Sequence, residues 1–425
     1  MKTEELSFSK IILATASGGI LEWFDFTLFG ILSKLVAEKF FPSQNLSLSM
    51  LSTFAAFAVG FFARPLGAVM MGHFGDKYGR KKTFLFTIVI MVISTAGIGL
   101  LPTYKTLGVF SPILLVIMRL LQGISVSGEH GGAITYLSEY AKPKSRGLLS
   151  AIPVASALGG MLLASICGFL LTAIFSETQI DQWAWRLPFL LSLILGGIAW
   201  YLRRKMKETT TFLNLMVENK IERVPVKKIF ANHRRRFFLI TLSFLISAAY
   251  PYLLFFYLPN ATERFLHENI SSKILILNSI SLVVGIVFFL ISAKWSDKYN
   301  RVKVMRLFAA ISVIITFPLF VFFPLQNIWN LFVFQLIGTI VFACFTGPWP
   351  AAAAESFPDQ VRFSGIALSL NLSASIFGGT APFILTSFQF TPHWELFSGL
   401  YFTLISLGSF LAIIFGPFRK NKQGV

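Results

Sequence analysis

The chain has 425 residues, of which 55% are hydrophobic and 13% charged, and it carries 47 Phe and a formal net charge of +18. Soluble domains average about 25% charged residues, so this chain has too little polar surface to cover a globule and reads as a polytopic membrane protein. The positive charge does not point to nucleic acid, because it is spread loop by loop along the chain.

Apolar runs of about 20 residues each span a bilayer. Twelve are predicted, over residues 11–36, 50–75, 83–102, 109–139, 147–174, 187–204, 236–262, 273–293, 303–323, 329–355, 362–388 and 395–417. The charged, Pro-interrupted insert Arg203–Arg236 divides six from six and is too polar to enter the membrane. The fold expected is all-α, with twelve transmembrane helices in two pseudo-symmetric six-helix bundles. The bundles cover residues 1–204 and 236–425, and a cytoplasmic linker with some amphipathic helix covers 205–235. If the spans alternate, most Lys and Arg fall on one side, leaving Lys34, Lys39, Lys105, Arg186, Arg264 and Lys273 on the other. That asymmetry predicts a multi-pass protein of the cell inner membrane with both termini cytoplasmic. No cleavable signal is expected at the N-terminus. Cys167 and Cys344 lie in different apolar runs and read as packing residues; no metal or cofactor is expected.

Ionisable residues inside spans cost about 2.5–3.5 kcal/mol each on insertion scales, so they usually face a cavity. Five stand in the first half: Glu22 and Asp25 in the first span, Arg64 in the second, Arg119 and Glu129 in the fourth, with His130 adjoining. Glu22 and Asp25 are three apart and share a helical face. Arg119 and Glu129, ten apart, are expected roughly on one face. Asp25 and Arg119 are expected at similar depth, with Glu22 and Glu129 deeper. One reading is a buried network in which Asp25, Glu22 or Glu129 carries a proton while Arg119, beside Gln122, pairs with the carboxylate or with substrate. The other is a permanent ion pair bracing the half. Arg64 reads either as part of the binding site or as a brace beside Pro65, and His130 either as a packing residue or as a proton relay.

Gly72-His-Phe-Gly-Asp76-Lys-Tyr-Gly79-Arg80-Lys-Lys82, read as a short loop between the second and third spans, returns in weaker form as Ala293-Lys-Trp-Ser-Asp297-Lys-Tyr-Asn300-Arg301. Asn300 stands where Gly79 stood, Asn being the next-best residue at positive φ. A second repeat is Glu-x6-Arg: Glu139 to Arg146 after the fourth span, and Glu355 to Arg362 after the tenth. The two repeats imply a duplicated pair with the substrate site between the halves. This loop and its copy resemble the signature of the major facilitator superfamily. The resemblance implies cytoplasmic ion-pair latches formed by Asp76, Arg80, Glu139, Arg146, Asp297, Arg301, Glu355 and Arg362.

Glu22-Trp-Phe-Asp25-Phe, Ala63-Arg-Pro-Leu-Gly67, Arg119-Leu-Leu-Gln-Gly-Ile-Ser-Val-Ser-Gly-Glu129 and the aromatic, Pro-broken Tyr250–Pro259 are similar to the metabolite:proton symporter family. That branch includes proline/betaine, α-ketoglutarate, citrate and shikimate uptake systems. Ser127 and His130 depart from its usual Gly and Tyr. The chain ends at Val425, without the coiled coil of osmosensing relatives, so osmotic activation is not expected. In the second half Tyr250, Tyr252, Tyr257, Asn260 and Trp349 are candidates for uncharged contacts. An aromatic wall suits a quaternary ammonium and an Arg suits a carboxylate, so a zwitterion or an organic acid both fit.

The resemblance implies a proton-coupled symporter importing a small polar metabolite by alternating access. Its partners are the small-molecule substrate, protons and the lipid bilayer, with no nucleic acid, and the working unit is expected to be a monomer. A proton-driven exporter would carry Gly-Pro in the fifth span, where this chain has Pro153-Val-Ala-Ser-Ala-Leu-Gly-Gly160. A transport-inactive receptor and an enzyme find less support, since neither a signalling domain nor a nucleophile–base spacing is visible.

Overall fold

The computed structural model describes residues 8–259, 272–323, 327–388 and 391–418. Among them are 12 helices long and apolar enough to cross a membrane. In the first half these are α1 (Phe8–Ile31), α2 (Leu48–Tyr78), α3 (Arg80–Leu100), α4 (Phe110–Tyr140), α5 (Pro143–Ile174) and α6 (Ala184–Arg204). In the second half they are α7 (Arg234–Tyr257), α8 (Lys273–Tyr299), α9 (Arg301–Phe322), α10 (Ile328–Ser356), α11 (Asp359–Phe388) and α12 (Trp394–Phe415). The described residues contain no strand.

Several helices outrun their apolar stretches at the end of the molecule where α2 meets α3 and α8 meets α9. This is the basic end. The apolar run measures only the hydrocarbon thickness, whereas helical hydrogen bonds continue to satisfy the backbone beyond it. The expected loop of Gly72–Lys82 therefore shrinks to one residue, Gly79, between α2 and α3. Its φ is 107°, and Asn300, between α8 and α9, has φ 80° with its side chain accepting from the Val302 N–H at 3.0 Å. Both reversals need a positive φ, which Gly and then Asn adopt at least strain.

α1 packs on α5, α2 on α4, and α3 on α6, a pairing that α9 and α12 repeat in the second half. The halves meet along α2–α11 and α5–α8, the second helix of each against the fifth of the other. The α2–α11 seam is close because Gly72 faces Ser364, and a Cβ there would lie 2.9 Å from the Ser364 Cα. Along α5–α8, away from the basic end, the halves diverge around an apolar groove of about 400 Å³ lined by Ile166, Phe169, Ile276 and Ile280. Between α6 and α7 the chain forms two short helices, Thr210–Val217 and Pro225–Asn232. Ile229 of the second is buried against Phe237, Val361 and Phe363.

α7 and α11 each lose regularity at mid-depth. After Pro251, residues Tyr252–Tyr257 form a π-helical turn, and Ala374–Gly378 form another. Such bulges re-aim side chains and often mark functional sites. Here both face the space between the halves.

Candidate functional site

A small cavity lies between the halves at mid-depth. Its polar wall comes from Glu22 and Trp23 on α1, Arg64 on α2, His130 on α4, Tyr252 on α7 and Thr346 on α10. Its volume is about 50 Å³, room for a few waters. It is too tight to seat a metabolite unless the halves separate. Asn371 crosses the seam nearby, donating to the Ser127 carbonyl at 2.9 Å, and Ser375 donates to the Phe61 carbonyl at 2.8 Å.

Arg64 is only 2% exposed. Its guanidinium lies 4.5 Å from the Phe26 ring and 4.3 Å from the Phe61 ring, and its Nε and Nη2 have no hydrogen-bond partner. Among the described residues no carboxylate pairs with it; the Tyr252 hydroxyl lies within hydrogen-bonding reach of its guanidinium. A desolvated guanidinium with free donors is primed for an anion. Tyr252 also packs across the seam, tilted on Trp23 at 6.0 Å and edge-on to Phe61 at 5.5 Å between ring centroids. Glu22 Oε2 holds His130 Nδ1 at 2.6 Å.

The other span charges lie inside the first half. Arg119 Nη1 donates to Asp25 Oδ2 at 3.0 Å, and its guanidinium sits 3.7 Å from the Phe29 ring. Gln122 donates to Thr95 at 3.0 Å beside this pair. Glu129 does not share a face with Arg119. Ten residues rotate about 80° short of whole turns, so Arg119 faces α1 while Glu129 faces α3 and α6. Glu129 is clasped by both Arg203 Nη atoms and accepts from the Thr87 hydroxyl at 3.1 Å. Arg203 also donates to the Ala14 carbonyl at 2.9 Å. By sequence Arg203 is one more cation of the basic insert, but it folds back, 1% exposed, into the first half. Nothing in its local pattern separates it from Arg204.

Apart from Tyr252, the aromatic candidates of the second half do not line the cavity. Tyr250 shares its hydroxyl with Ser312, Thr316 and Ser406 at 2.6–2.8 Å within that half. Trp349 donates to Ser243 at 2.8 Å and packs on Phe244, and Tyr257 is buried in the core. Asn260 lies outside the described residues. Tyr252, at the π-helical turn, is the helix-seven candidate that the structure brings to the cavity.

The basic end is sealed by a reciprocal set of polar contacts. Asp76 on α2 accepts from the Ser364 N–H of α11 at 2.9 Å, with its other oxygen 3.6 Å from Arg80. Asp297 on α8 accepts from the Gly147 and Leu148 N–H of α5 at 2.7 and 3.0 Å. Each carboxylate thus caps a helix N-terminus belonging to the opposite half. Arg80 pairs with Glu139 at 3.1 Å and Arg301 with Glu355 at 2.9 Å, each within its own half. Across the seam, Glu139 lies 3.4 Å from Arg362 and Glu355 lies 3.8 Å from Arg146. Two further residues have no counterpart in the repeats. Glu208 accepts from the Arg80 and Lys81 N–H at 3.1 and 3.2 Å, and Thr209 donates to Glu139 at 2.6 Å.

Two six-helix bundles, related by a repeat and meeting around one small polar cavity, define a two-bundle membrane carrier. The chain belongs to the major facilitator superfamily, whose family model matches residues 15–382. It is 32% identical over 412 residues to a putative proline/betaine transporter of Staphylococcus aureus (strain COL), covering 96% of this chain and 87% of the relative. It is 33% identical over 385 residues to the proline/betaine transporter of Escherichia coli (strain K12), covering 87% and 76%. Among solved structures, the proton:xylose symporter XylE bound to 6-bromo-6-deoxy-D-glucose aligns over 96% of this chain and 94% of its own, with TM-score 0.79 and 17% identity. The inward-open form of XylE from E. coli aligns with TM-score 0.69 at 18% identity, over 98% of each chain. At such identities the likeness establishes the fold.

Proposed function

We propose that this protein is a proton-coupled symporter that imports a small, carboxylate-bearing metabolite by alternating access. One observation carries the reading: a buried guanidinium with no carboxylate partner and two unpartnered nitrogens, Arg64, faces a cavity between two halves whose basic end is closed by contacts that cross the seam. An anionic group of the substrate completes Arg64. Trp23 and Tyr252 suit an ammonium at the other end of a zwitterion, beside Glu22. The likeness to proline/betaine transporters supports that class, and the likeness to XylE, a proton:xylose symporter, supports the coupling.

In the proposed cycle, substrate and proton enter from the far side while the latch is shut. Refilling the cavity then favours closure on that side and opening of the basic end. The basic end faces the cytoplasm by its Lys and Arg content, so both termini are cytoplasmic, in the inner membrane. The moving bodies are residues 1–204 and 236–425, joined by the linker 205–235, and the monomer is the working unit. Asp25 is the proton-carrying carboxylate, with Arg119 holding it when it is charged, and Glu22 engages His130. Glu129 is assigned instead to a structural brace with Arg203.

Proteoliposomes with an imposed inward proton gradient, offered labelled proline, glycine betaine, α-ketoglutarate, citrate and shikimate in parallel, test this. Accumulation of one compound, abolished by a protonophore, is expected. Arg64→Gln removes charged hydrogen bonds worth about 1.5–3 kcal/mol each and should raise KM at least about tenfold. Asp25→Asn should abolish gradient-driven accumulation while leaving exchange. Wild-type accumulation that ignores the protonophore would sink the coupling, and an unchanged KM in Arg64→Gln would sink the anion site.

A further inference from the structure

His130 has a ring nitrogen that the contacts described so far leave free. Its ring is 6% exposed, and Nδ1 is held 2.6 Å from Glu22 Oε2. Facing a carboxylate at that distance, Nδ1 carries the proton and donates it, so the neutral ring presents its lone pair at Nε2. Nε2 is buried without a partner, and the residue lines the same cavity as Arg64, whose Nε and Nη2 are also unpartnered. One small space therefore holds a free cationic donor and a free basic nitrogen.

We propose that His130 is a second donor for the substrate's anionic group, available only when Nε2 is protonated, with Glu22 as the residue that positions it. The charges explain why. Glu22 from α1 and Arg64 from α2 cancel while His130 is neutral. From α7 the Tyr252 hydroxyl lies within hydrogen-bonding reach of Arg64. Glu129, adjacent on α4, is engaged by Arg203. The walls from α5 and α11 are apolar, including Val154, Met161 and Leu370, and α10 adds only Thr346 and Phe342. A carboxylate entering this cavity meets the Nε2 lone pair head-on, and where the substrate carries no ammonium of its own it also leaves one uncompensated negative charge. A proton on Nε2 turns the lone pair into a donor and, in that second case, restores neutrality. Proton and anion thus favour each other's binding, and reciprocity makes the coupling equal in both directions. No bond is made or broken beyond the transfer of that proton between water and Nε2.

This inference rests on the anion site proposed at Arg64 and adds a proton site distinct from Asp25. The test is equilibrium binding to the purified full-length protein across about pH 5.5–8.5, using labelled proline, glycine betaine, α-ketoglutarate and citrate, together with proton uptake in weak buffer. The wild type should bind its probe about tenfold more weakly per pH unit at the alkaline end, and should take up a proton as it binds. His130→Gln should bind at least about tenfold more weakly at the acid end, with a flattened pH step and one proton fewer taken up than the wild type, whatever Asp25 contributes. His130→Asn gives the same readout should the Gln variant melt early. Glu22→Gln keeps a step but moves its midpoint. Retention of the wild-type step and proton uptake in either His130 variant overturns the inference, as does wild-type binding with no proton uptake. Those outcomes leave the Arg64 reading standing if Arg64→Gln abolishes binding. A wild type that binds none of the four probes, or an Arg64→Gln variant that binds normally, overturns the anion site and this inference with it.

Discussion

Replacing Asp297 with Asn should open the basic end. The two carboxylate oxygens of Asp297 accept from two backbone N–H groups, Gly147 at 2.7 Å and Leu148 at 3.0 Å, and Oδ1 also lies 2.8 Å from Arg301 Nη1. Asn has one acceptor oxygen, so one backbone N–H then faces an amide donor. The lost charge-assisted hydrogen bond amounts to about 1.5–3 kcal/mol. The lost anion at the start of α5 adds roughly 0.3–1 kcal/mol. A net cost of roughly 2–3 kcal/mol shifts the balance between closed and open forms by roughly 30–150-fold. Spin labels at Lys144 and Lys298, exposed residues on either side of the α5–α8 seam, report the separation by pulsed dipolar spectroscopy once Cys167 and Cys344 are replaced by Ala. The distribution should gain a longer component in Asp297→Asn, and again in Asp76→Asn, which weakens the symmetry-related cap. An unchanged distribution in a well-folded Asp297→Asn protein would refute the idea that this cap holds the basic end shut.

Gly72→Leu should act in the same direction, since even a Cβ would lie 2.9 Å from the Ser364 Cα; the spin-label distance should lengthen while thermal stability of the separate halves changes little. Arg203→Gln strands Glu129 in the first half, and breaking a buried pair typically costs about 3–5 kcal/mol, so the melting temperature should fall sharply. The double variant Arg203→Gln with Glu129→Gln should recover much of the loss if the pair is a brace and no more; if uptake also returns, proton transfer through Glu129 is excluded. Lys228 hydrogen-bonds Glu222 at 2.7 Å and thereby holds that carboxyl below its ordinary value, partly opposed by desolvation. A depressed folded value means stabilisation present at neutral pH and lost as pH falls below the ordinary 4.5. For so exposed a pair this is under about 1 kcal/mol. Amide protection over Pro225–Asn232, corrected for intrinsic exchange, should drop through that window in the wild type and be flat in Lys228→Ala.

Much of this protein was legible in one dimension because the bilayer imposes rules that act locally. Span length follows from hydrocarbon thickness, so twelve apolar runs became twelve helices, and only their polar ends were misjudged. The repeat of Asp76-x3-Arg80 at Asp297 and Arg301 could be read directly, down to the positive φ shared by Gly79 and Asn300, because backbone reversal depends on one residue's sterics. Charges inside spans were visible as anomalies, since their cost does not depend on their neighbours. Which neighbour each would meet was not visible. Helix rotation and the approach of distant segments assign partners, and a rotation of about 80° separates Glu129 from Arg119 and gives it to Arg203, 74 residues away. The same geometry turns Tyr250 and Trp349 into their own half and swings Tyr252 into the cavity through a π-helical turn after Pro251. It leaves Arg64 without a carboxylate at the centre while Arg119, its equal by sequence, is paired with Asp25 through Nη1, its own Nε and Nη2 staying unpartnered. Composition and local sterics set what each segment must be; only the packing of twelve helices decides which buried charge is left without a partner.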